Sequence, residues 1–223
     1  MQQKSDPRMP FIYGLIGLAV LMVGGIAWAV MAHPTQQGTG SVDVNVSFDD
    51  ANDPVKGKDD AKVVVRLFSD LECSACRSAE PGVDYVMQKY GDRVKFIWDD
   101  FPLTTVHQHA LLAANAARCA EGQGKFWEMR SKMYDQQPYW SVAPNVQDLF
   151  IQYAESLGMD SKTFVNCLES QQYNDKITAD TQEGTANGVE ATPTFFVNKT
   201  RYVGVLTNEQ WDAAIQAELN ATK

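Results

Sequence analysis

Two cysteines, Cys73 and Cys76 in the stretch "LECSAC", have the residue types and spacing most specific for chemistry in this chain. Such a pair can form a disulfide that exchanges with other thiols, or it can provide half of a zinc site. It can also be two small buried residues without a reaction. The elements around the pair and the other ligands in the chain distinguish these alternatives.

A strand and a helix are predicted on either side of the pair. The β-branched run "KVVVRLF" at residues 62–68 predicts a buried strand, and helical apolar spacing follows it. A second buried run at residues 94–98 completes a strand–helix–strand unit with parallel strands. Cys73 therefore falls at a helix start, where free N–H groups and the helix dipole lower a thiol pKa. Cys76 lies close enough to form a disulfide with it.

The zinc and structural alternatives fit the spacing less well. A zinc site needs a second close pair of ligands, whereas Cys119 and Cys167 are far apart in the sequence and His107 and His109 are only two residues apart. A purely structural bridge within the motif closes too short a loop to stabilise much. We therefore predict a redox pair and no metal site.

The N-terminal segment predicts a membrane anchor. Residues 11–32 carry no ionisable side chain except Tyr13, and as a helix they would be about 33 Å long, enough to cross a bilayer. Lys4 and Arg8 precede the segment, which places residues 1–10 in the cytoplasm and the main domain outside it. A cleaved signal peptide is the alternative, although an apolar region of about 7–15 residues is usual there.

Composition limits the remaining classes. The 223 residues have room for one domain and an accessory segment, and the net charge of −9 argues against nonspecific nucleic-acid binding. Outside the cytoplasm, four cysteines suggest two disulfides, and four cysteines allow three connectivities.

After a linker at residues 33–41, the pattern predicts an α/β domain over residues 42–223 with a helical insert at about 106–183. Alternation predicts a half-buried strand at 42–48, and residues 49–61 predict a turn-rich connection. Two short β runs separated by Lys199-Thr200 predict a hairpin, and "TNEQ" predicts a capping box opening a last helix. Four helices are predicted in the insert, at residues 109–122, 125–135, 145–158 and 160–168.

Four stretches together resemble one family: "LFSDLECSAC", "FPL" with His107 downstream, "AANAARCAEGQGKFWEM" and "GVEATPTFFVN". From about Val42 onward the chain resembles the DsbA-like thioredoxin family of disulfide oxidoreductases, especially its membrane-tethered branch. The resemblance implies a thioredoxin fold with a helical insertion, with Cys73 as the exposed nucleophile and Cys76 as its buried partner. It also implies a cis Thr192–Pro193 bond beside the disulfide, where substrate polypeptide pairs like an added strand.

The chain departs from the family pattern at three positions. Ser74 and Ala75 replace the Pro and the His or aromatic residue that many relatives have between the cysteines. Leu67 stands where many relatives carry a buried Glu. Asp70 and Glu72 are nearby carboxylates that could assist proton transfer, and we favour the alternative that both are surface acidity. The direction of electron flow therefore depends on a reduction potential that the sequence does not set.

Outside the motif, the resemblance implies a second disulfide, because some relatives have one in the insert. Cys119 and Cys167 are the residues that would form it, and we interpret it as structural. His107 matches a family position and is interpreted as a structural residue.

The predicted function is that of a membrane-anchored, extracytoplasmic thiol–disulfide oxidoreductase without a cofactor. It would donate the Cys73–Cys76 disulfide to reduced, unfolded secreted polypeptides and be reoxidised by a DsbB-like or VKOR-like membrane partner. An isomerase or reductase of the same fold is one alternative. A noncatalytic metallochaperone that holds copper(I) between the two thiolates is the other.

Overall fold

A six-stranded mixed sheet and seven helices make up residues 42–49 and 52–221, the part of the chain that this computed structural model describes. The strands are β1 (Val42–Asp43), β2 (Val55–Gly57), β3 (Val63–Ser69), β4 (Val94–Asp100), β5 (Thr194–Val197) and β6 (Thr200–Val203). The helices are α1 (Ser74–Tyr90), α2 (Ala110–Glu121), α3 (Phe126–Trp140), α4 (Val146–Ser156), α5 (Ser161–Glu169), α6 (Asn174–Ala186) and α7 (Asn208–Ala221).

The predicted anchor, its cytoplasmic segment and its linker fall within residues 1–41, outside the described residues. Among residues 42–49 and 52–221, no helix combines the length and the apolar character needed to cross a bilayer.

The centre of the sheet is the predicted strand–helix–strand unit. The sheet order is β1-β6-β5-β3-β4-β2, and β3 and β4 are parallel, with Val63 opposite Val94 and Ser69 opposite Asp100. Both strands are buried at all positions but the second, as expected for strands covered on two faces. Since β3 and α1 are consecutive, the sheet places the cysteine motif at the carboxyl end of a central strand.

Five helices fill the chain between β4 and β5, which confirms the predicted helical insert. The four predicted helices correspond to α2 to α5, and α3 extends through Pro138 to Trp140. The sequence analysis missed α6. Its buried residues are Ile177, Asp180 and Gly184, so it has no apolar stripe that periodicity could detect.

The strand predicted at residues 42–48 is wrong over most of its length. Only Val42 and Asp43 pair with β6, opposite Arg201 and Thr200. The next residue, Val44, donates its N–H to the carbonyl oxygen of Lys199, which lies in the hairpin turn before β6 begins. Residues 44–48 still alternate between partly buried and exposed positions, because their apolar side chains pack on a small second core cluster.

The connection predicted at residues 49–61 contains a strand that the sequence analysis missed. Residues Val55–Gly57 form the edge strand β2, antiparallel to β4. The strand has only three residues, follows Pro54, and ends at Gly57 with φ +97°. A proline and a glycine at either end of a short segment are typical of a turn. The strand forms only because it pairs with β4, which is distant in the sequence.

The C-terminal hairpin and capping box are present. The turn is formed by Asn198 and Lys199 rather than by the predicted Lys199 and Thr200, because Asn198 adopts φ 51° and Thr200 begins β6. At the start of α7, Thr207 N donates to Gln210 Oε1 at 2.8 Å and Gln210 N donates to Thr207 Oγ1 at 3.3 Å. This reciprocal pair confirms the predicted capping box.

Candidate active site

The two cysteines of the motif occupy the first turn of α1. Cys73 is the N-cap, with extended φ −71° and ψ 122°, and the helix begins at Ser74. Both cysteines are free thiols. Cys76 is 1% exposed and Cys73 8% exposed, so the expectation of an exposed Cys73 is wrong in degree. The Thr192 carbonyl oxygen lies 3.6 Å from Cys73 Sγ and covers part of its surface.

The two thiols have opposite pKa shifts. A hydrogen bond from the Cys76 thiol, aided by backbone N–H groups at the helix start, lowers the pKa of Cys73 to about 5, although burial opposes this. Burial, followed by the neighbouring Cys73, raises the pKa of Cys76 well above its usual range. At neutral pH the reduced pair is therefore one thiolate and one thiol.

The Thr192–Pro193 peptide bond is cis and lies beside the motif. The Pro193 carbonyl oxygen accepts a 2.8 Å hydrogen bond from Gly204 N, which ties this loop to the end of β6. The hydroxyl of Thr192 is buried beside the two cysteines, where its interaction with each sulfur acts to lower the thiol pKa. The predicted substrate-binding residues thus meet the predicted catalytic cysteine.

Three polar side chains that the sequence analysis missed hold the cysteine-bearing loop. Gln137 Nε2, on α3, donates to the carbonyl oxygens of Leu71 and Cys73 at 2.7 and 3.0 Å. The hydroxyls of Tyr134 and Ser69 lie 2.8 Å apart in a buried hydrogen bond. A Gln and a Tyr in an ordinary helical pattern carry no sequence signal for this role.

Asp70 is buried, so its interpretation as surface acidity is wrong. Its side chain accepts hydrogen bonds from Glu72 N at 2.7 Å, Leu103 N at 2.8 Å and His107 Nδ1 at 2.7 Å. Glu72 is half-buried and accepts from His109 N at 2.7 Å. These contacts join the cysteine-bearing loop to the loop that follows β4.

Cys119 and Cys167 form a disulfide with each other, with an S–S distance of 2.00 Å. The bridge links α2 to α5 within the helical insert, whereas the motif cysteines are both free. Its structural role remains a prediction. Leu67, in the position where many relatives carry a carboxylate, is buried in the apolar core.

A second cluster of buried charges lies on other elements. Carboxylate oxygens of Asp53, Asp99 and Asp180 approach one another within 4.8 Å, a spacing that could hold a metal ion. Protein cations already contact these groups: Lys176 Nζ pairs with Asp53 and, at 2.5 Å, with Asp180, and Arg118 lies 2.7 Å from Asp180. This arrangement is an internal ion network.

The chain belongs to the thioredoxin family, whose family model it matches over residues 49–217. The described fold is similar to that of oxidised BdbD from Bacillus subtilis, at 24% identity and a TM-score of 0.67, over 75% of this chain and 93% of that chain. It is also similar to α-DsbA1 from Wolbachia pipientis, at 20% identity and a TM-score of 0.66, over 80% and 97% of the two chains. The predicted thioredoxin family is therefore confirmed by the family model, and the fold agrees with these solved structures.

Two curated relatives are more similar to the chain in sequence than these solved structures are, and both are named as antiporters. The chain is 36% identical over 178 residues to Na(+)/H(+) antiporter NhaA 3 of Salinispora tropica, which is 80% of this chain and 26% of that protein. It is 36% identical over 166 residues to NhaA 1 of Mycolicibacterium vanbaalenii, covering 73% and 25%. The chain spans about a quarter of the length of these relatives, so they match it through one segment. The predicted enzyme class, thiol–disulfide oxidoreductase, agrees with the family and with the paired cysteines.

Proposed function

We propose that this thiol–disulfide oxidoreductase is an oxidase that transfers its Cys73–Cys76 disulfide to reduced polypeptides outside the cytoplasm. The opposite pKa shifts of the two thiols are the observation that carries the proposal. A thiolate stabilised at Cys73 stabilises the reduced form of the site. A stabilised reduced form raises the reduction potential and favours transfer of the disulfide to the substrate.

The reaction follows from this asymmetry. A substrate thiolate attacks Cys73 Sγ of the oxidised site, the Cys73–Cys76 bond breaks, and the electron pair moves to Cys76. Cys76 takes up a proton because its pKa is raised. A second substrate thiolate then attacks the substrate sulfur of the mixed disulfide, and Cys73 leaves as a thiolate. The substrate loses two electrons and gains a disulfide, while the site gains the two electrons.

The surroundings of Cys73 support an unfolded polypeptide as substrate. Several large apolar side chains are exposed next to residues that contact the site: Val106 beside His107, Tyr139 and Val142 after Gln137, and Val203 and Val205 around Gly204. Exposed apolar groups adjacent in sequence to site residues suit a substrate chain that has not yet buried its own apolar side chains. Thr192 and Pro193 would supply backbone groups that pair with any sequence.

A position beside a membrane completes the proposal. The apolar segment at residues 11–32 would anchor the domain, and the linker would keep it near a DsbB-like or VKOR-like reoxidase. Fractionation of cells that express the full chain should recover it with membranes, and recovery only in the soluble fraction would contradict the anchor.

The reduction potential of Cys73–Cys76 tests the oxidase assignment. We expect a glutathione titration of the purified chain to place it nearer to about −120 mV than to about −270 mV, the two ends of the thioredoxin-like range. A value near −270 mV would make the chain a reductase.

A trapping variant tests the chemistry separately. Cys76→Ser should accumulate mixed disulfides between Cys73 and secreted polypeptides, because the released partner thiol is missing. The Cys73→Ser, Cys76→Ser double variant is the matched control and should trap none. Absence of trapping, together with copper(I) bound by the wild type and lost in both variants, would favour the metallochaperone.

A further inference from the structure

His107 is tied to the backbone of the reactive cysteine through one residue, Asp70. His107 Nδ1 lies 2.7 Å from Asp70 Oδ2, and the same oxygen accepts from Leu103 N at 2.8 Å. The Asp70 carbonyl oxygen accepts the Cys73 N–H at 3.1 Å. Asp70 therefore holds the imidazole beside the loop that carries Cys73, because its side chain contacts the ring and its carbonyl oxygen contacts the backbone of Cys73.

The contact with Asp70 favours the charged form of the imidazole. Burial lowers the pKa of His107, but the hydrogen bond and charge of Asp70 outweigh it and raise that pKa overall, and the Cys73 thiolate raises it further. Asp70 is 1% exposed, so its carboxylate has little water and is stabilised by a cation. The His107 side chain is 24% exposed, which lets it exchange its proton with solvent.

We propose that Asp70 and His107 form a carboxylate–imidazole dyad that stabilises the Cys73 thiolate whenever thiol exchange releases it. The proposal deepens the proposed function and rests on it. Asp70 fixes the ring with a proton on Nδ1, and the second proton makes the ring a cation. His107 forms no covalent bond to sulfur or to substrate during the exchange, and the charge of the imidazolium stabilises the electron pair that leaves on Cys73 Sγ. Ser74 and Ala75 provide no cation within the motif.

The dyad adds an inflection at the pKa of His107 to the pH dependence of the Cys73–Cys76 reduction potential. The titratable groups that act on His107 are Asp70, Glu72 and Cys73. Because the Cys73 thiolate raises the pKa of His107, reduction of the disulfide brings proton uptake at the imidazole near that pKa. Above it, the imidazole is neutral and the thiolate loses this stabilisation. A histidine with only a structural role would not produce this inflection.

The test uses three substitutions in the full chain. His107→Asn keeps an N–H donor for Asp70 but carries no charge, and His107→Lys keeps a charge. His109→Asn is the matched control, since the hydrogen bond from His109 to Glu72 comes from its backbone N–H and is kept in the variant. The measurements are ultraviolet absorbance of the Cys73 thiolate against pH in the reduced protein, and the equilibrium with glutathione against pH.

We expect His107→Asn to raise the pH at which the Cys73 thiol loses its proton by about one unit. The equilibrium with glutathione at neutral pH should shift about tenfold toward the disulfide form, which equals about 30 mV. His107→Asn should also abolish the inflection that His107 produces in the pH dependence of the glutathione equilibrium. His107→Lys should return the Cys73 pKa most of the way to its wild-type value, and His109→Asn should match the wild type.

Identical titrations for His107→Asn and the wild type would overturn the dyad. So would an equal shift in His109→Asn, because that would indicate a general disturbance of the loop. These results do not depend on the oxidase assignment. A wild-type potential near that of thioredoxin would overturn the oxidase and leave the effect of His107 on the thiolate measurable.

Discussion

Cys73 and Cys76 are three residues apart on one helical turn, and their different surroundings give them different chemistry. Cys73 is at the N-cap, where backbone N–H groups and the Cys76 thiol stabilise its charge. Cys76 faces the core, where a charge would lack water. Gln137 maintains this difference, because it fixes the two carbonyl groups between which the chain turns into the helix.

Replacement of Gln137 by Ala should destabilise the protein by about 1–3 kcal/mol, because the buried carbonyl of Leu71 loses its side-chain donor and that of Cys73 keeps only the N–H of Arg77. Amide hydrogen exchange at Cys73 should accelerate more than exchange in the centre of β3. Denaturant unfolding and hydrogen exchange measure the two effects.

The matched control is Gln136→Ala, one residue earlier on the same helix and only partly buried. We expect a change within about 0.5 kcal/mol there. Equal destabilisation by both substitutions would show that the loss comes from the helix and not from the clamp on the loop.

At the residue scale, the sequence predicted the residues that carry a motif. Cys73, Cys76 and Thr192–Pro193 were identified because the motif and the resemblance mark them. Gln137 was not, because its contact depends on packing between segments 64 residues apart. Asp70 was misjudged for the same reason, since its burial depends on the loop after β4.

At the scale of elements, one arginine joins the insert to the sheet. Arg118 on α2 is fully buried, and its guanidinium contacts Asp100 on β4 at 2.5 Å, Asp180 on α6 at 2.7 Å and Asp53 before β2 at 3.3 Å. Four segments therefore depend on one side chain for their charge balance.

Arg118→Met should destabilise the fold by about 3–5 kcal/mol at neutral pH, because three buried carboxylates lose a partner. Burial, together with Asp100, already raises the pKa of Asp180 to about 6. An acid with a raised folded pKa binds more protons when folded, so its ionisation lowers stability as pH rises from its usual 3.8 to about 6. Loss of Arg118 raises this pKa further.

The deficit of the variant relative to wild type should therefore be largest above pH 6 and should shrink on acidification. Denaturant unfolding of both proteins across this range measures it. Arg93→Met, at an exposed arginine, is the control and should change stability little at any of these pH values. A deficit that stays constant with pH would show that packing, and not charge, accounts for the loss.

The elements that the sequence predicted are those with their own periodicity. β3, α1 and β4 carry continuous apolar patterns, so the central unit was found with small errors at its ends. By contrast, α6 buries an aspartate and a glycine, and Gly184 lies against Phe68 and Phe101 so closely that a Cβ would come within 2.9 Å of both rings. A helix held by an ion pair and a close aromatic contact has no apolar stripe to detect.

At the scale of the whole molecule, we predict that the Cys119–Cys167 bridge contributes to stability and takes no part in the redox chemistry of the motif. It closes a loop with a sequence separation of 48 residues, and on the chain-entropy model it stabilises the fold by about 4 kcal/mol. The Cys119→Ala, Cys167→Ala double variant should therefore unfold at a lower denaturant concentration and keep the potential of Cys73–Cys76. A changed potential would show that the bridge takes part in electron transfer.

The contact between Cys73 and Thr192 also determines when, during synthesis, the enzyme can begin to act. The two residues are 119 positions apart, and the ribosome adds about 5–20 residues per second, so Thr192 appears roughly 6–24 s after Cys73. During this interval Cys73 lacks the Thr192 carbonyl that contacts it in the folded protein. Gln137 and His107 also arrive later than the motif. A nascent chain therefore carries the two sulfurs of the motif before it carries the residues that surround them in the folded site.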